Sequence, residues 1–204
     1  MRNRKVLFLF IGTVIGFFYS RVCIAATQPR ERQAVARASI SENYLDGAIT
    51  GGDLRIVRAA LERGYSVNDR LGNIDSPTLL IEAAGWGHPS IVQFLLTQGA
   101  DVNAHTTSGE TALWQAAAAA LGDDTELGWE TVQANYVKVI HLLIKDGANP
   151  NIPNNNGVTP LGIACYRNRI DGVKALLDSH PNLNHRDDFG KTPIEWLPIT
   201  TIRK

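Results

Sequence analysis

Residues 78–103 read TLLIEAAGWGHPSIVQFLLTQGADVN and residues 159–184 read TPLGIACYRNRIDGVKALLDSHPNLN, and the agreement between these stretches decides the fold. Each opens on a threonine, Thr78 or Thr159, and continues with a small pair, Ala83-Ala84 or Ala164-Cys165. A leucine pair follows, Leu95-Leu96 or Leu176-Leu177, and then Asn103 or Asn184. The pattern returns from Thr111, with Ala116-Ala117, Leu143-Ile144, Gly147-Ala148 and Asn151, and Thr192 opens one more copy. The four threonines are separated by 33, 48 and 33 residues, so the middle interval holds one period and 15 residues more. A fainter copy precedes them at Asn43, Ala48, Gly52-Asp53, Val57, Leu61, Gly64 and Asn68. Self-similarity at a fixed period marks a repeat array, here four units and a partial fifth.

Elementary physics explains why these residue types recur. A threonine opening each unit caps a new helix, since its hydroxyl accepts from N–H groups that have no partner in the first turn. Pro160 and Pro193 take the first helical position, where no donor is lost. Small alanines let helices approach, and leucine pairs fill the space between stacked units. Gly64, Gly99 and Gly147 supply the left-handed residue that ends the second helix. His180 stands in that place in the fourth unit, where a side chain costs about 1–2 kcal/mol, so Pro181 is expected to alter that turn.

Two spacings depart from the period. Ten residues separate Asn68 from Thr78 where the other units have eight, which predicts a longer first finger around Leu71 to Ser76. The 15-residue excess falls between Ala116-Ala117 and Ile140. It reads as lengthened or bent helices joined by an acidic loop with Asp123, Asp124, Glu126, Trp129 and Glu130, because Gly122-Asp123-Asp124 and Gly128 break the helical pattern. A tolerated insertion and a functional one are both open readings, the latter resting on Trp129.

This spacing resembles the ankyrin repeat, most closely at Thr159-Pro160-Leu161 and Gly99-Ala100-Asp101-Val102-Asn103, and the likeness runs from Glu42 to Trp196. It implies an all-α repeat solenoid whose helix pairs are linked by short β-hairpin fingers. The units fall at about 43–77, 78–110, 111–158 with an insertion at 121–135, and 159–191, with a partial cap at 192–204. The family pattern also has a histidine where His88 stands, implying a role in the turn. Ankyrin proteins bind partners through finger tips and the exposed face of the first helices. Carried over, this implies a surface of Gly85 and Trp86, Ala118 and Ala119, and Tyr166 and Arg167 in the helices. In the fingers it implies Thr107, Ser108 and Glu110, then Asn155, Asn156 and Val158, then Asp188, Phe189 and Lys191. Trp86, Tyr166, Arg167 and Phe189 are types enriched at binding hot spots. Trp86 has the alternative of covering its own helix, and Phe189 of packing near Trp196; Trp114 and Trp196 read as packing residues.

Residues 1–26 place three basic residues before the fourteen-residue apolar run Val6–Tyr19, and Ala25-Ala26 follow. That order describes a cleaved secretory signal peptide, with residues 27–41 as a linker or helical cap. The apolar run is short for a membrane span, which needs about 20 residues, although an uncleaved anchor is the alternative. Without this segment sixteen basic residues face twenty acidic ones, a net charge of −4. Such a chain is a poor ligand for nucleic acid, and no lasting membrane insertion is expected. Cys165 would be the one cysteine left, at an alanine-like packing position.

Catalytic and metal signatures are absent from the sequence. His88, His105, His141, His180 and His185 fall in different units without ligand spacing. Asp123-Asp124 and Asp187-Asp188 read as solvated charges, and Gly51-Gly52 lacks the lysine of a phosphate loop. No cofactor is expected. The sequence therefore predicts a periplasmic or secreted binding protein and no enzyme. The resemblance adds the expectation of an accessory, inhibitor or immunity partner of an exported enzyme such as a lipase or phospholipase. The alternative is an envelope scaffold or protective protein, for example one supporting an antioxidant enzyme.

Overall fold

In the computed structural model, residues 41–72, 76–119 and 129–197 are described. The expected signal peptide and nearly all of the linker lie outside them, as does most of the acidic segment. The chain divides into two compact units, Met1–Ser41 and Glu42–Lys204, and the repeats occupy the second.

Helices come in pairs: α1 (Glu42–Thr50) with α2 (Leu54–Glu62), α3 (Leu79–Gly85) with α4 (Pro89–Thr97), α5 (Ala112–Ala118) with α6 (Trp129–Lys145), and α7 (Pro160–Tyr166) with α8 (Ile170–Leu177). A 3-10 turn, Pro193–Trp196, closes the described residues. The first helices pack in sequence, α1 to α3 to α5 to α7 to the 3-10 turn, and so do the second helices, α2 to α4 to α6 to α8.

The threonines act as the sequence requires. Thr78, Thr111 and Thr159 are buried, and their hydroxyls accept from the N–H of Ile81 (3.3 Å), Trp114 (3.1 Å) and Gly162 (3.2 Å). Losing such a cap costs about 1 kcal/mol. Leu95, Leu143 and Leu176 are fully buried between units, as are Ala83, Ala84 and Ala164. Cys165 is buried beside them, and burial pushes its thiol pKa up to about 11. Arg58 of the first unit also lies over the Phe94 ring of the second, at 4.6 Å.

Each second helix ends on a left-handed residue. Gly99 has φ 83°, and the next N–H, that of Ala100, donates back to Leu95 (3.0 Å). His180 corrects the expectation of an altered turn. It adopts φ 52°, and its N–H donates to the Leu177 carbonyl (3.1 Å), as that of Gly99 does to Leu96 (3.0 Å). What Pro181 changes is the following bond, since proline has no N–H to give.

An asparagine ladder links the turns after the second helices. Asn68 Oδ1 accepts from the Asp101 N–H (2.8 Å), Asn103 Oδ1 from Asn149 (2.8 Å) and Asn151 Oδ1 from Asn182 (2.7 Å). The fingers then depart from the expected hairpins. Among the described residues no strand forms, and the only bridges are isolated antiparallel ones, Arg70 with Thr78 and His105 with Thr111. Each finger is a turn whose ends are joined by a backbone bond: Thr106 N–H to Glu110, Asn154 to Val158 and Asp187 to Lys191. In the first finger the bond runs from Leu71 to Pro77, two residues further apart, as the longer spacing requires.

The insertion goes into the second helix of the third unit. α6 has 17 residues where α2 and α4 have 9. Trp129 and Glu130, expected in a loop, are its first two residues. Gln133, Ala134 and Lys138 favour helix, and the burial of Val139, Ile140 and Leu143 anchors it.

Candidate protein-binding surface

Residues just after the buried small pairs emerge on the first helices. Trp86 is 50% and Tyr166 56% exposed, and Arg167 is exposed beside Tyr166. Ala118 departs from expectation, being buried, and Ala119 is half-buried. Ala119 borders a small cavity with Gln133, Tyr136 and Arg169, so the lengthened α6 covers this offset.

The Trp86 indole N–H donates to Glu82 Oε1 one turn earlier (2.6 Å), which fixes the ring on its own helix with half its surface in solvent. Nearby, Glu110 accepts from Gln115 Nε2 (2.7 Å). Burial raises the Glu110 pKa, and the Gln115 bond offsets only part of that rise.

At the far end the aromatic residues gather around Trp196, a half-buried residue that sequence reasoning treated as packing alone. Tyr166 and Phe189 each meet its ring edge-on, with centroids 5.2 and 5.9 Å away, and Lys191 Nζ lies 3.9 Å from the ring centre. The indole N–H donates to Asp187 Oδ2 (2.6 Å), while Asp187 Oδ1 accepts from the N–H groups of Phe189 and Lys191 (both 2.9 Å). Burial alone would raise the Asp187 pKa; the bonds from Lys191, Trp196 and Phe189 outweigh it and hold the carboxyl below its usual value. Asp187 is therefore a buried structural carboxylate and not part of a solvated pair. A signal for it existed: Thr106, Asn154 and Asp187 all stand five residues before a capping threonine, and each side chain accepts from the N–H four residues on.

Phe189 keeps 66% of its surface exposed despite this packing, and Lys191 is exposed beside it. The third finger is tied more closely to its neighbours. Asn155 donates from its backbone to Ser108 (2.9 Å) and from Nδ2 to Thr107 (2.8 Å), and the Asn156 carbonyl accepts from Asp188 (3.1 Å). Val158 is half-buried, with its carbonyl held by Trp114 Nε1 (2.9 Å). Asn155 and Asn156 thus present exposed side chains on a finger fixed from both sides. The side chain of Trp129 lies outside the description.

The histidine position shows a second relation hidden by the insertion. His88 Nε2 lies 2.8 Å from the Thr50 carbonyl, against the left-handed Gly52 of the preceding unit. Tyr136 repeats this one unit on, donating its hydroxyl to the Gly85 carbonyl (3.0 Å) against Gly87. Subtracting the 15 extra residues puts Tyr136 at the offset of His88.

Among the described residues no group of three His, Cys, Asp or Glu side chains is placed to hold a metal ion. None of their helices is long and apolar enough to cross a membrane.

The paired helices, capping threonines and finger turns define a helical repeat stack. The family described as ankyrin repeats (3 copies) matches residues 45–125 and 129–197, and the chain belongs to that family. A putative ankyrin repeat protein of fowlpox virus (strain NVSL) is 29% identical over 171 residues, covering 81% of this chain and 43% of its own length. A putative ankyrin repeat protein of Rickettsia felis is 30% identical over 115 residues, covering 56% of this chain and 32% of its own. A potassium channel of Arabidopsis thaliana is 26% identical over 197 residues, with shares of 86% and 24%. The chain spans less than half the length of each of these relatives. Membership of the family makes the chain a protein–protein interaction module.

Proposed function

We propose that this interaction module is exported and acts, without catalysis of its own, as an accessory, inhibitor or immunity partner of a secreted or periplasmic enzyme. The observation that carries the binding reading is the exposure of Trp86 after α3 and Arg167 after α7 at one offset beyond the buried small pairs, with Tyr166 exposed at the position before Arg167. Large aromatic and arginine side chains in such places are the types that dominate binding energy. Of these, Trp86 and Arg167 contribute most freely, since Tyr166 also supports Trp196. The export reading rests on the order of residues 1–26, and the choice of a lipase or phospholipase as client on the family resemblance. General envelope scaffolding, for instance of an antioxidant enzyme, is the second reading.

The test is co-purification with the product of the neighbouring reading frame, using wild type, Trp86→Ala with Arg167→Ala, and Trp129→Ala. Loss of more than 1 kcal/mol of binding per hot-spot residue in the double variant, with an unchanged thermal melt, is the expected result. Full binding by the double variant and loss in Trp129→Ala would move the interface to the insertion. Amino-terminal sequencing tests export separately, with the mature chain expected to begin near Ala26 or Thr27. An intact Met1 in the cytoplasmic fraction would remove the exported client.

A further inference from the structure

The insertion that lengthens α6 also raises a wall beside α8, and an open groove of about 590 Å³ lies between the two helices. Its volume falls in the range of about 300–1,000 Å³ typical of binding sites. On α6 the groove is lined by Ala134, Val137 and His141, and on α8 by Asp171, Lys174, Ala175 and Asp178. Both sets follow the three- and four-residue spacing that puts side chains on one helical face. Each stripe is two turns long, about 10 Å.

The two ends of this groove differ in charge. At one end Asp171 stands in the first turn of α8, where the helix dipole favours an anion. There it accepts from Gln133 Nε2 (2.5 Å) and pairs with Lys174 (3.4 Å). At the other end Asp178 caps the carboxyl terminus of α8, where the dipole already contributes negative charge. Asp178 is exposed, and among the described residues no cation pairs with it. His141, the titratable group that α6 contributes to the groove, is also exposed. Between the ends, Ala134, Val137 and Ala175 form an apolar floor whose small side chains admit close approach.

We propose that this groove is a second docking site, separate from the concave face, and that its occupant is an amphipathic helix of a partner protein. The occupant lays a stripe of small apolar residues on Ala134, Val137 and Ala175 and places a lysine or arginine against Asp178. Two parallel stripes at helical spacing form the furrow into which the ridge of a third helix packs. Asp178, at a negative helix end and with no cation paired to it among the described residues, selects a cation there. An anionic occupant is repelled at the same point.

The test uses the full chain and two fluorescein-labelled synthetic helical peptides with the same alanine-leucine stripe, one ending in arginine and one in glutamate. Fluorescence anisotropy should show the arginine peptide binding about fivefold more tightly, the effect of one exposed charge pair reinforced by a helix end. Asp178→Lys should reverse that preference. Ala134→Trp, which fills the groove, should abolish binding of both peptides while leaving the thermal melt intact. Trp86→Ala with Arg167→Ala should change neither affinity. Absence of saturable binding to wild type, or a preference that survives Asp178→Lys, overturns the proposal. So does loss of binding in the concave-face variant, which would place the peptide there.

Discussion

Replacing Trp196 by phenylalanine separates the two contributions that hold the last half-unit. Phenylalanine keeps a ring for Tyr166, Phe189 and Lys191 but removes the indole N–H that donates to Asp187 over 2.6 Å. A hydrogen bond to a charged group contributes about 1.5–3 kcal/mol. Asp187 keeps donors from Phe189 and Lys191, so the lower end applies, about 1.5 kcal/mol. Trp196→Ala also loses two edge-on ring contacts at about 0.5–1.5 kcal/mol each and the cation contact at about 0.5–1 kcal/mol. Its total is about 3–5.5 kcal/mol by these same values. In a linear stack each unit is supported by its neighbours, so the loss appears as opening of the end and not as global unfolding. Hydrogen exchange read by mass spectrometry should therefore show about tenfold faster exchange at residues 187–197 in Trp196→Phe, with α3 to α5 unchanged. Unchanged exchange at the end would refute the assignment of Trp196 as the residue that closes the stack. Acid offers an independent reading of the same bond. The folded Asp187 pKa is depressed, so its contribution is present above the ordinary aspartate range and is lost as pH falls through the lowered value. Accelerated opening of this end on acidification should be reduced in Asp187→Asn, the remainder coming from Glu195, whose carboxyl the bonds from Thr192 also hold below its usual value.

Other substitutions test other parts of the stack. His180→Gly relieves a left-handed side chain at about 1–2 kcal/mol and adds freedom to the unfolded chain at about 0.4–1 kcal/mol, so a net gain of about 0.5–1 kcal/mol is expected in urea titration. Leu95→Ala and Leu176→Ala, each emptying a fully buried site between units, should cost about 2–5 kcal/mol in the same assay. Cys165 should react with a maleimide far more slowly at pH 8 in the native protein than in urea, because burial holds the thiol protonated. Rapid native labelling would mean that the α7 face opens.

The repeat boundaries were legible because a capping threonine and an alanine pair serve one physical purpose in every unit. Thr78, Thr111 and Thr159 could be matched by counting, and the long first finger followed from the same count. Residues whose roles depend on contacts across units were not visible in this way. Trp196 looked like one more core residue because its partners come from two segments apart from it, Tyr166 from α7 and Asp187, Phe189 and Lys191 from the last finger. Asp187 looked solvated because its neighbour Asp188 is. Tyr136 escaped notice because the insertion moved it off the period, although it occupies the offset of His88. Trp129 was placed in a loop on the strength of Gly128, whereas the helix begins at it. On the candidate surface, Trp86 and Arg167 could be located by offset from the alanine pair. The burial of Ala118 could not, since the end of α5 lies beside a helix whose length the period does not give.

The asparagine ladder also bears on how such a chain can change length. Asn103 still reaches the Asn149 N–H at 2.8 Å although the intervening unit carries 15 extra residues, because those residues precede and lengthen α6 while the ladder joins the turns after the second helices. The two edges of the array are therefore independently editable. A foreign peptide grafted between α5 and α6 should leave the register of every later repeat preserved along the ladder.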